Sequence, residues 1–180
     1  MYEDTIERVL LSEEQLDKRI AEMAVQIDRD YEGKKPLMVA ILKGSIMFFT
    51  DLIRKMKINL EIDFMAISSY GHGVKSSGEV KMIKDLDRKV EGKDIIIVED
   101  IIDSGYTMKY LKNMLEARKP NSIKICTLLD KPSRRETDVQ VDYRGFEVEN
   151  EFVVGYGLDY AGLYRNIPFV GILKREIYEK

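Results

Sequence analysis

The segment 95–107 concentrates residues of this chain that could do chemistry. Four β-branched apolar residues lead into the adjacent carboxylates Glu99 and Asp100, two more apolar residues follow, and Asp103 then precedes a Ser-Gly turn. Small residues that lead into a helix offer backbone N–H groups and a favourable dipole to an anion, typically a phosphate. Carboxylates beside such a site are explained if they accept hydrogen bonds from ribose hydroxyls or hold a hard cation.

Each of these residues also has an ordinary structural explanation. Asp103 and Ser104 are common turn formers, and Thr107 is a common helix N-cap. Those roles do not explain why Glu99 and Asp100 are adjacent, just past a strand that should be buried. Neighbouring carboxylates raise each other's pKa and cost stability unless a ligand uses them, which favours a functional role.

The elements around the segment place it at the carboxyl end of a parallel strand. The apolar run before Glu99 predicts a buried strand, and the residues from Thr107 onward predict a helix with one apolar face. Open α/β sheets bind their ligands at this end of their strands. We therefore expect the order strand, acidic loop, helix.

Strand and helix patterns alternate along the chain. Strands are predicted at 37–42, 60–68, 94–98 and 122–129, and helices at 45–56 and 107–118. A first helix is predicted from a capping box at 12–15 to Gly33, with an apolar stripe of Leu16, Ile20, Met23, Ala24, Ile27 and Tyr31. The alternation predicts an α/β fold, a mostly parallel twisted sheet with helices on both faces.

The remaining segments predict a cap and a lid on one domain of residues 1–180. Short strands from 143 onward are expected to extend the sheet and, with the N-terminal segment, to form a small hood from about 1–12 and 143–180. The glycine- and serine-rich segment 69–84 predicts a flexible lid loop or an extended hairpin. A disordered insertion fits the same composition, and His72 is interpreted as a solvated loop residue.

Composition excludes several classes of protein. At 180 residues with a net charge of −3, the chain is long enough for a substantial core and lacks the basic balance of sequence-independent nucleic-acid binding. No apolar run approaches the ~20 residues that cross a bilayer, and the first four residues do not resemble a signal peptide. The single cysteine, Cys126, lies in an apolar run and predicts a buried thiol in a reducing, cytoplasmic protein. One His and one Cys exclude a structural zinc site.

The segment 95–107 resembles the motif with which type I phosphoribosyltransferases bind phosphoribosyl diphosphate (PRPP). That motif is an apolar strand, two acidic residues, about two apolar residues, then Asp, a small residue, Gly, any residue and Thr, and the chain matches each informative position. The competing phosphate motifs G-x-x-x-x-G-K-[ST] and G-x-G-x-x-G do not occur. The resemblance implies that Glu99 and Asp100 fix the ribose hydroxyls, and that the 5′-phosphate is bound by Ser104, Gly105, Tyr106 and Thr107.

Further blocks match the family in the same order, so that the resemblance spans about residues 38–173. Without it, Lys43-Gly44 is a weak phosphate loop, Lys131-Pro132 a solvated turn, and 152–154 a core strand. With it, Lys43 and Gly44 hold pyrophosphate, often beside a cis peptide, and Ser69 and Tyr70 belong to the lid. The hypoxanthine-guanine branch of the family implies five more roles: a donor to the purine O6 (Lys131), a ring stacked on the purine (Phe152), a backbone contact to the base edge (Val153), a magnesium ligand (Asp159) and a pyrophosphate contact (Arg165).

The resemblance implies Mg²⁺-dependent transfer of a phosphoribosyl group from PRPP to a 6-oxopurine. Asp103 would act as general acid or base at purine N7, and Glu99, Asp100 and Asp159 would be the metal-binding residues. Family members usually form homodimers or homotetramers, and no nucleic-acid or membrane partner is expected. A xanthine or pyrimidine transferase stays open as an alternative. A PRPP-responsive nucleic-acid-binding regulator is disfavoured, because the chain has neither a basic balance nor an added DNA-binding segment.

Overall fold

Apolar runs form the strands of the protein, as the alternating pattern predicts. The computed structural model describes residues 2–69 and 80–179. Its strands are β1 (Ile6–Leu11), β2 (Leu37–Leu42), β3 (Glu61–Ser69), β4 (Val80–Lys84), β5 (Asp94–Ile102), β6 (Ser122–Asp130), β7 (Tyr143–Glu147), β8 (Val153–Val154) and β9 (Val170–Leu173). Its helices are α1 (Glu13–Asp30), α2 (Ile46–Lys55), α3 (Tyr106–Glu116) and α4 (Arg175–Tyr178).

Six strands form the main sheet, in the order β4-β3-β2-β5-β6-β7. All are parallel except β4, which pairs antiparallel with β3. From β2 the chain continues to β3 on one side, and from β5 it continues to β6 on the other. The direction of winding therefore reverses between β2 and β5, and ligands of open α/β sheets bind at such a point. The predicted α/β fold with a mostly parallel sheet is confirmed.

Two apolar layers cover the two faces of the main sheet. Met38 and Ala40 pack in the layer that contains α1 and α2, whereas Val39 and Ile41 pack in the layer that contains α3. Successive side chains of a strand point to opposite faces, so a continuous apolar run can supply both layers. Cys126 is fully buried in the first layer, and burial raises the pKa of its thiol, as expected for a structural cysteine.

Helix α1 begins at the predicted capping box. The Gln15 N–H donates to Ser12 Oγ (3.3 Å), and the Ser12 N–H donates to Gln15 Oε1 (2.8 Å). Such a cap contributes about 1 kcal/mol to the stability of the folded protein. The predicted apolar stripe is buried along its whole length, which places α1 against the sheet. Within the described ranges, no helix has the length and apolar character needed to span a membrane.

Strand β5 is longer than predicted and contains the two adjacent carboxylates. Its last two residues pair with Leu129 and Asp130 of β6, so the parallel ladder continues past Glu99 and Asp100. The prediction of an acidic loop after residue 98 was therefore wrong. The loop begins at Asp103, because the pairing with β6 holds the chain extended up to that point.

A second sheet of three antiparallel strands, in the order β1-β9-β8, joins the two ends of the described chain. It corresponds to the predicted hood. Strand β7 pairs with β6 and so extends the main sheet, as predicted for the short strands from 143 onward; residues 143–147 therefore do not belong to the hood. The Tyr156 hydroxyl donates to Asp51 Oδ2 of α2 (2.5 Å), which ties the segment after β8 to the main layer of helices.

The predicted lid segment 69–84 is in part a strand. Strand β4 pairs antiparallel with β3, which is the arrangement of the extended hairpin that was predicted as one of two forms. The Lys84 ammonium donates to the Phe64 carbonyl (3.0 Å) and so fastens the end of β4 to β3. Tyr70 and His72 lie outside the described residues, and the Ser69 side chain is not described either.

Candidate active site

Residues that could do chemistry follow the carboxyl ends of three neighbouring strands. Lys43 comes directly after β2, Asp103 after β5 and Lys131 after β6. Because parallel strands end at the same edge of a sheet, these residues come together although the chain separates them widely. Two cavities open at this edge.

The first, which we call the acidic cavity, has a volume of about 550 Å³. Backbone and side chains from the main sheet and from the segment after β8 form its wall. Ten of the predicted site residues line it: Lys43, Gly44, Glu99, Asp100, Asp103, Ser104, Gly105, Thr107, Asp159 and Arg165.

The loop after β2 is held from two sides. The Leu42–Lys43 peptide bond is cis, as the resemblance implied for this position. A Cβ atom on Gly44 would lie 1.7 Å from Asp100 Oδ2, and one on Gly157 would lie 2.0 Å from the Gly44 carbonyl oxygen. The loop is therefore packed between a carboxylate of β5 and the turn after β8, and only glycine fits at both positions.

The two adjacent carboxylates of β5 are held close to backbone N–H groups. The Ile101 N–H donates to Asp100 Oδ1 (2.8 Å), and the Asp100 N–H lies 3.3 Å from Glu99 Oε1. Burial, and then the charge of Asp100, raise the pKa of Glu99 well above its usual value. Glu99 thus retains its proton more readily than an ordinary carboxyl, and a ligand that donates hydrogen bonds or brings positive charge would favour the ionised form.

The loop after β5 leads into α3 through a left-handed residue. Gly105 has a φ of 89°, which favours glycine, and α3 begins at Tyr106, one residue earlier than predicted. The Tyr106 side chain is 43 % exposed and lines neither cavity. Ser104, Gly105 and Thr107 therefore line the acidic cavity, whereas Tyr106 does not.

Two adjacent arginines after β6 hold Asp103. Arg134 Nε lies 3.2 Å from Asp103 Oδ1, and Arg135 Nη1 donates to the Asp103 carbonyl oxygen (2.8 Å). Arg135 also pairs with the fully buried Asp130 at the end of β6, and Arg144 Nε lies 2.8 Å from the second oxygen of that carboxylate. The loop after β5 is therefore fixed to the end of β6.

Arg134 and Arg135 were not predicted as site residues. Two consecutive arginines directly after a strand end, three and four residues beyond Lys131, were the available indication in the sequence. Their contacts to Asp103 depend on the pairing of β5 with β6, which local spacing does not reveal.

The second cavity, which we call the aromatic cavity, has a volume of about 570 Å³. Four predicted site residues line it, namely Asp103, Lys131, Phe152 and Val153. The sequence did not identify the other eight lining residues, which are Ile101, Arg134, Asn150, Glu151, Leu158, Arg175, Tyr178 and Glu179.

Lys131 is buried in the wall of the aromatic cavity. It is 7 % exposed, and its ammonium donates to the Glu151 carbonyl oxygen (2.7 Å). Burial lowers the pKa of Lys131 below its usual value, with opposing contributions from the nearby carboxylates of Asp103 and Glu151. The alternative of a solvated turn at this position is therefore wrong.

Phe152 lies just before β8 and contacts two tyrosine rings. Its ring is stacked on that of Tyr178 with centroids 4.6 Å apart and an interplanar angle of 19°. The Tyr160 ring meets it edge-on at 5.6 Å and 86°. Val153, in β8, is buried beside it and also lines the cavity. The segment thus serves both as core strand and as cavity wall.

A turn after β8 brings one carboxylate and one guanidinium to the acidic cavity. Arg165 Nη2 lies 2.5 Å from Asp159 Oδ1, and Arg165 Nη1 donates to the Gly157 carbonyl oxygen (2.6 Å). The second Asp159 oxygen accepts from the Gly162 N–H (2.8 Å). Both side chains keep about 30 % of their surface exposed, so they remain accessible to a ligand in the cavity.

The carboxylates suit a cation that a ligand shares. In the residues that the structure describes, no three acidic, His or Cys side chains cluster as a metal site. Mg²⁺, however, keeps several waters and is usually bound by one or two carboxylates together with substrate phosphates. Glu99 and Asp100 on one wall and Asp159 on another fit such a shared ion, and their role as ligands stays a prediction.

The two cavities meet at Ile101 and Asp103, which line both of them. A phosphorylated ligand in the acidic cavity and a flat ring in the aromatic cavity would thus meet beside the Asp103 carboxylate. That arrangement is suited to joining the two ligands, with a proton-transferring group at the junction.

The chain is similar to known proteins of one family. Residues 10–161 match the phosphoribosyl transferase domain family. The chain is 53 % identical to the hypoxanthine-guanine phosphoribosyltransferase of Bacillus subtilis, over 99 % of both chains. It is also 53 % identical to the bifunctional protein TilS/HprT of Listeria monocytogenes serotype 4b, of whose length it spans only 28 %.

Solved structures show the same fold. A crystal structure of a hypoxanthine phosphoribosyltransferase from Staphylococcus aureus is 48 % identical and has a TM-score of 0.95, covering 98 % of this chain and 96 % of that one. A hypoxanthine-guanine phosphoribosyltransferase from Bacillus anthracis is 48 % identical with a TM-score of 0.90, covering 94 % and 99 %. The chain therefore belongs to the phosphoribosyltransferase family and, within it, to the group of hypoxanthine-guanine phosphoribosyltransferases.

Proposed function

We propose that the protein transfers the 5-phosphoribosyl group of PRPP to N9 of hypoxanthine or guanine, giving IMP or GMP and pyrophosphate in purine salvage. The observation that carries the proposal is the junction of the acidic and aromatic cavities at Ile101 and Asp103. PRPP suits the acidic cavity, because its ribose hydroxyls can donate to the carboxylates there and its phosphates can bind to the basic side chains and the N–H groups at the start of α3. The base suits the aromatic cavity, and ribose C1′ would lie where the two meet.

Three parts of the acidic cavity would bind three parts of PRPP. The loop of Ser104, Gly105, Tyr106 and Thr107 would bind the 5′-phosphate through N–H groups at the start of α3. Glu99 and Asp100 would accept hydrogen bonds from the ribose hydroxyls. Lys43, Gly44 and Arg165 would neutralise the pyrophosphate, which leaves as positive charge builds on the ribose.

We propose that Mg²⁺ is the cofactor, held by Asp159 and by the Glu99-Asp100 pair together with oxygens of PRPP. When bound, it would supply Lewis-acid stabilisation of the leaving pyrophosphate. Glu99 would lose its proton when it binds Mg²⁺, because its raised pKa makes this carboxyl hold a proton more readily than usual. Arg165, which pairs with Asp159, would lie beside the same pyrophosphate.

Lys131 and Phe152 would select the base. An ammonium has only hydrogen-bond donors, so Lys131 suits the O6 keto oxygen of hypoxanthine or guanine and disfavours the amino group of adenine. The purine would stack on Phe152, and the backbone of Val153 would contact its edge. A buried donor left without an acceptor is costly, which makes the discrimination large.

Asp103 would handle the proton at purine N7 as N9 attacks C1′. It lines both cavities, and its exposed fraction of 48 % leaves room for a bound base beside it. Arg134 and Arg135 hold it in place from the β6 side. Ser69 and Tyr70 in a lid and association as a homodimer or homotetramer stay predictions from the resemblance. A cytoplasmic location stays a prediction from the single cysteine.

Product analysis tests the proposed reaction. The protein is incubated with PRPP, Mg²⁺ and hypoxanthine, and the products are separated and identified by mass spectrometry. We expect IMP and pyrophosphate in equal amounts. Pyrophosphate without IMP would show hydrolysis of PRPP. If neither product forms, the proposed transfer is contradicted.

A further inference from the structure

Helix α4 forms one wall of the aromatic cavity. Arg175 and Tyr178, three residues apart on α4, line the cavity together with Glu179, which follows the helix. Tyr178 is the aromatic residue of this group, and its ring is stacked on Phe152 at 4.6 Å and 19°. The proposed base-stacking residue is therefore itself covered on one face.

Tyr160 fixes the same arrangement from another direction. Its ring meets Phe152 edge-on, and its hydroxyl donates to the Ile177 carbonyl oxygen of α4 (3.1 Å). The backbone of Phe152 is held as well, since its carbonyl oxygen accepts from the Leu173 N–H (2.9 Å). The ring of Phe152 is therefore restrained by one stacked neighbour, one edge-on neighbour and its own backbone.

We propose that Tyr178 is a positioning residue for base binding. It covers one face of Phe152, so the purine would stack on the other, and Tyr178, Phe152 and the base would form a three-layer stack. Without Tyr178 the Phe152 ring would gain freedom, and part of the stacking energy would go to restricting it again when the base binds. This inference rests on the proposed function, because it concerns the base that Phe152 would hold.

Steady-state kinetics of two variants test the stack. Tyr178→Ala removes the stacked ring, and we expect the KM for hypoxanthine to rise about 3- to 10-fold, the range for immobilising one side chain on binding. The KM for PRPP and the kcat should stay within about twofold of the wild type, because Tyr178 lines only the aromatic cavity. Tyr178→Phe keeps the ring and should restore the KM for hypoxanthine.

Controls separate the stack from general effects. Tyr110→Ala removes an exposed tyrosine of α3 that lines neither cavity, and it should leave the KM for hypoxanthine unchanged. If Tyr178→Ala does not fold, Tyr178→Leu keeps apolar volume without the ring and should show the same rise. Calorimetric titration with IMP gives an affinity that does not depend on turnover, and it should fall by the same factor.

Three results would overturn the proposal. An unchanged KM for hypoxanthine in Tyr178→Ala would make the stack purely structural. A lowered KM would mean that Tyr178 occupies the face that the base needs. A Tyr178→Phe variant as impaired as Tyr178→Ala would assign the effect to the hydroxyl group. Failure of the proposed function is distinguishable, because the wild-type protein itself would then form no IMP.

Discussion

Asp103 is held at the cavity junction by two consecutive arginines. Its carbonyl oxygen and its carboxylate each accept from a different arginine of the segment after β6. Charge-assisted contacts of this kind fix a side chain more firmly than neutral hydrogen bonds do. The carboxylate is nevertheless half exposed, so it can reach a bound base.

Asn has nearly the same shape as Asp but lacks the carboxylate that would transfer the proton, so the replacement of Asp103 by Asn removes that group alone. We expect Asp103→Asn to lower kcat by ~10²–10⁴-fold, the usual contribution of general acid–base catalysis, and to leave the affinity for PRPP within about twofold. Steady-state kinetics and calorimetric titration with PRPP measure the two quantities. Equal losses in turnover and in PRPP affinity would contradict a role at the base.

Glu99 gives a prediction about stability. In the folded protein, burial and the charge of Asp100 raise its pKa above the ordinary value of 4.5. Between that value and the folded pKa, the folded protein retains a proton that the unfolded chain has lost, so the free energy of unfolding falls as pH rises. A glutamine in this position has no such proton.

Glu99→Gln should therefore be more stable than the wild type, by an amount that grows above about pH 4.5 and levels off past the folded pKa. A gain of about 1 kcal/mol corresponds to a rise in Tm of about 2–4 °C. Thermal unfolding from pH 4 to pH 8 measures the difference, with Glu116→Gln on α3 as the exposed control. A difference that shrinks with rising pH would contradict the pKa shift. The affinity of Glu99→Gln for PRPP should be weaker.

At the scale of elements, three loops after parallel strands assemble the site. The register of β2, β5 and β6 determines where each loop leaves the sheet, and so where Lys43, Asp103 and Lys131 lie. The loop after β2 shows this most directly, because Gly44 packs against the Asp100 carboxylate of the neighbouring strand.

Gly44→Ala should displace this loop. The new Cβ would lie 1.7 Å from Asp100 Oδ2, so the loop or the carboxylate has to shift. We expect a loss of about 1–3 kcal/mol in unfolding free energy, typical of overpacking, together with at least about tenfold weaker binding of PRPP. Urea unfolding and calorimetric titration measure both effects.

Gly92→Ala is the matched control for that experiment. Gly92 has a φ of 71°, and a Cβ atom added to it would meet nothing within 4 Å, so alanine there introduces backbone strain without a clash. It should cost about 1–2 kcal/mol of stability and leave PRPP binding unchanged. Equal PRPP affinities for Gly44→Ala and Gly92→Ala would contradict the role of the loop.

At the scale of the whole molecule, the acidic cavity is lined by residues of the main sheet and by Asp159 and Arg165 from the turn after β8. A ligand in this cavity bridges the two parts of the fold and binds only when both are folded. PRPP with Mg²⁺ should consequently stabilise the protein by mass action.

When the PRPP concentration is about 100 times its dissociation constant, the free energy of unfolding rises by about 2.7 kcal/mol. This gain corresponds to a rise in Tm of about 5–10 °C. Differential scanning calorimetry with and without PRPP and Mg²⁺ measures it. At the same PRPP concentration, Arg165→Gln should show a smaller rise, because it lacks a phosphate-neutralising group. Equal rises in the two proteins would contradict the contact between Arg165 and pyrophosphate.

Local patterns in the sequence predicted most of the fold. The bounds of β2 agree with the predicted 37–42, and the capping box set the start of α1. Features that depend on distant pairing were missed. Pairing with β6 extends β5 beyond Glu99. The stack of Tyr178 on Phe152 joins two residues that no local sequence pattern relates to each other. The burial of Lys131 likewise depends on the Glu151 carbonyl, which no strand-end motif indicates.

Pyrophosphate release with a panel of bases tests the central claim most directly. The protein is assayed with PRPP and Mg²⁺ and with hypoxanthine, guanine, xanthine, adenine or uracil in parallel. We predict turnover with hypoxanthine or guanine and none with adenine, because the buried Lys131 offers only hydrogen-bond donors. Turnover with xanthine or uracil alone would contradict the base assignment, and binding of PRPP without turnover on any base would contradict the proposed transferase activity.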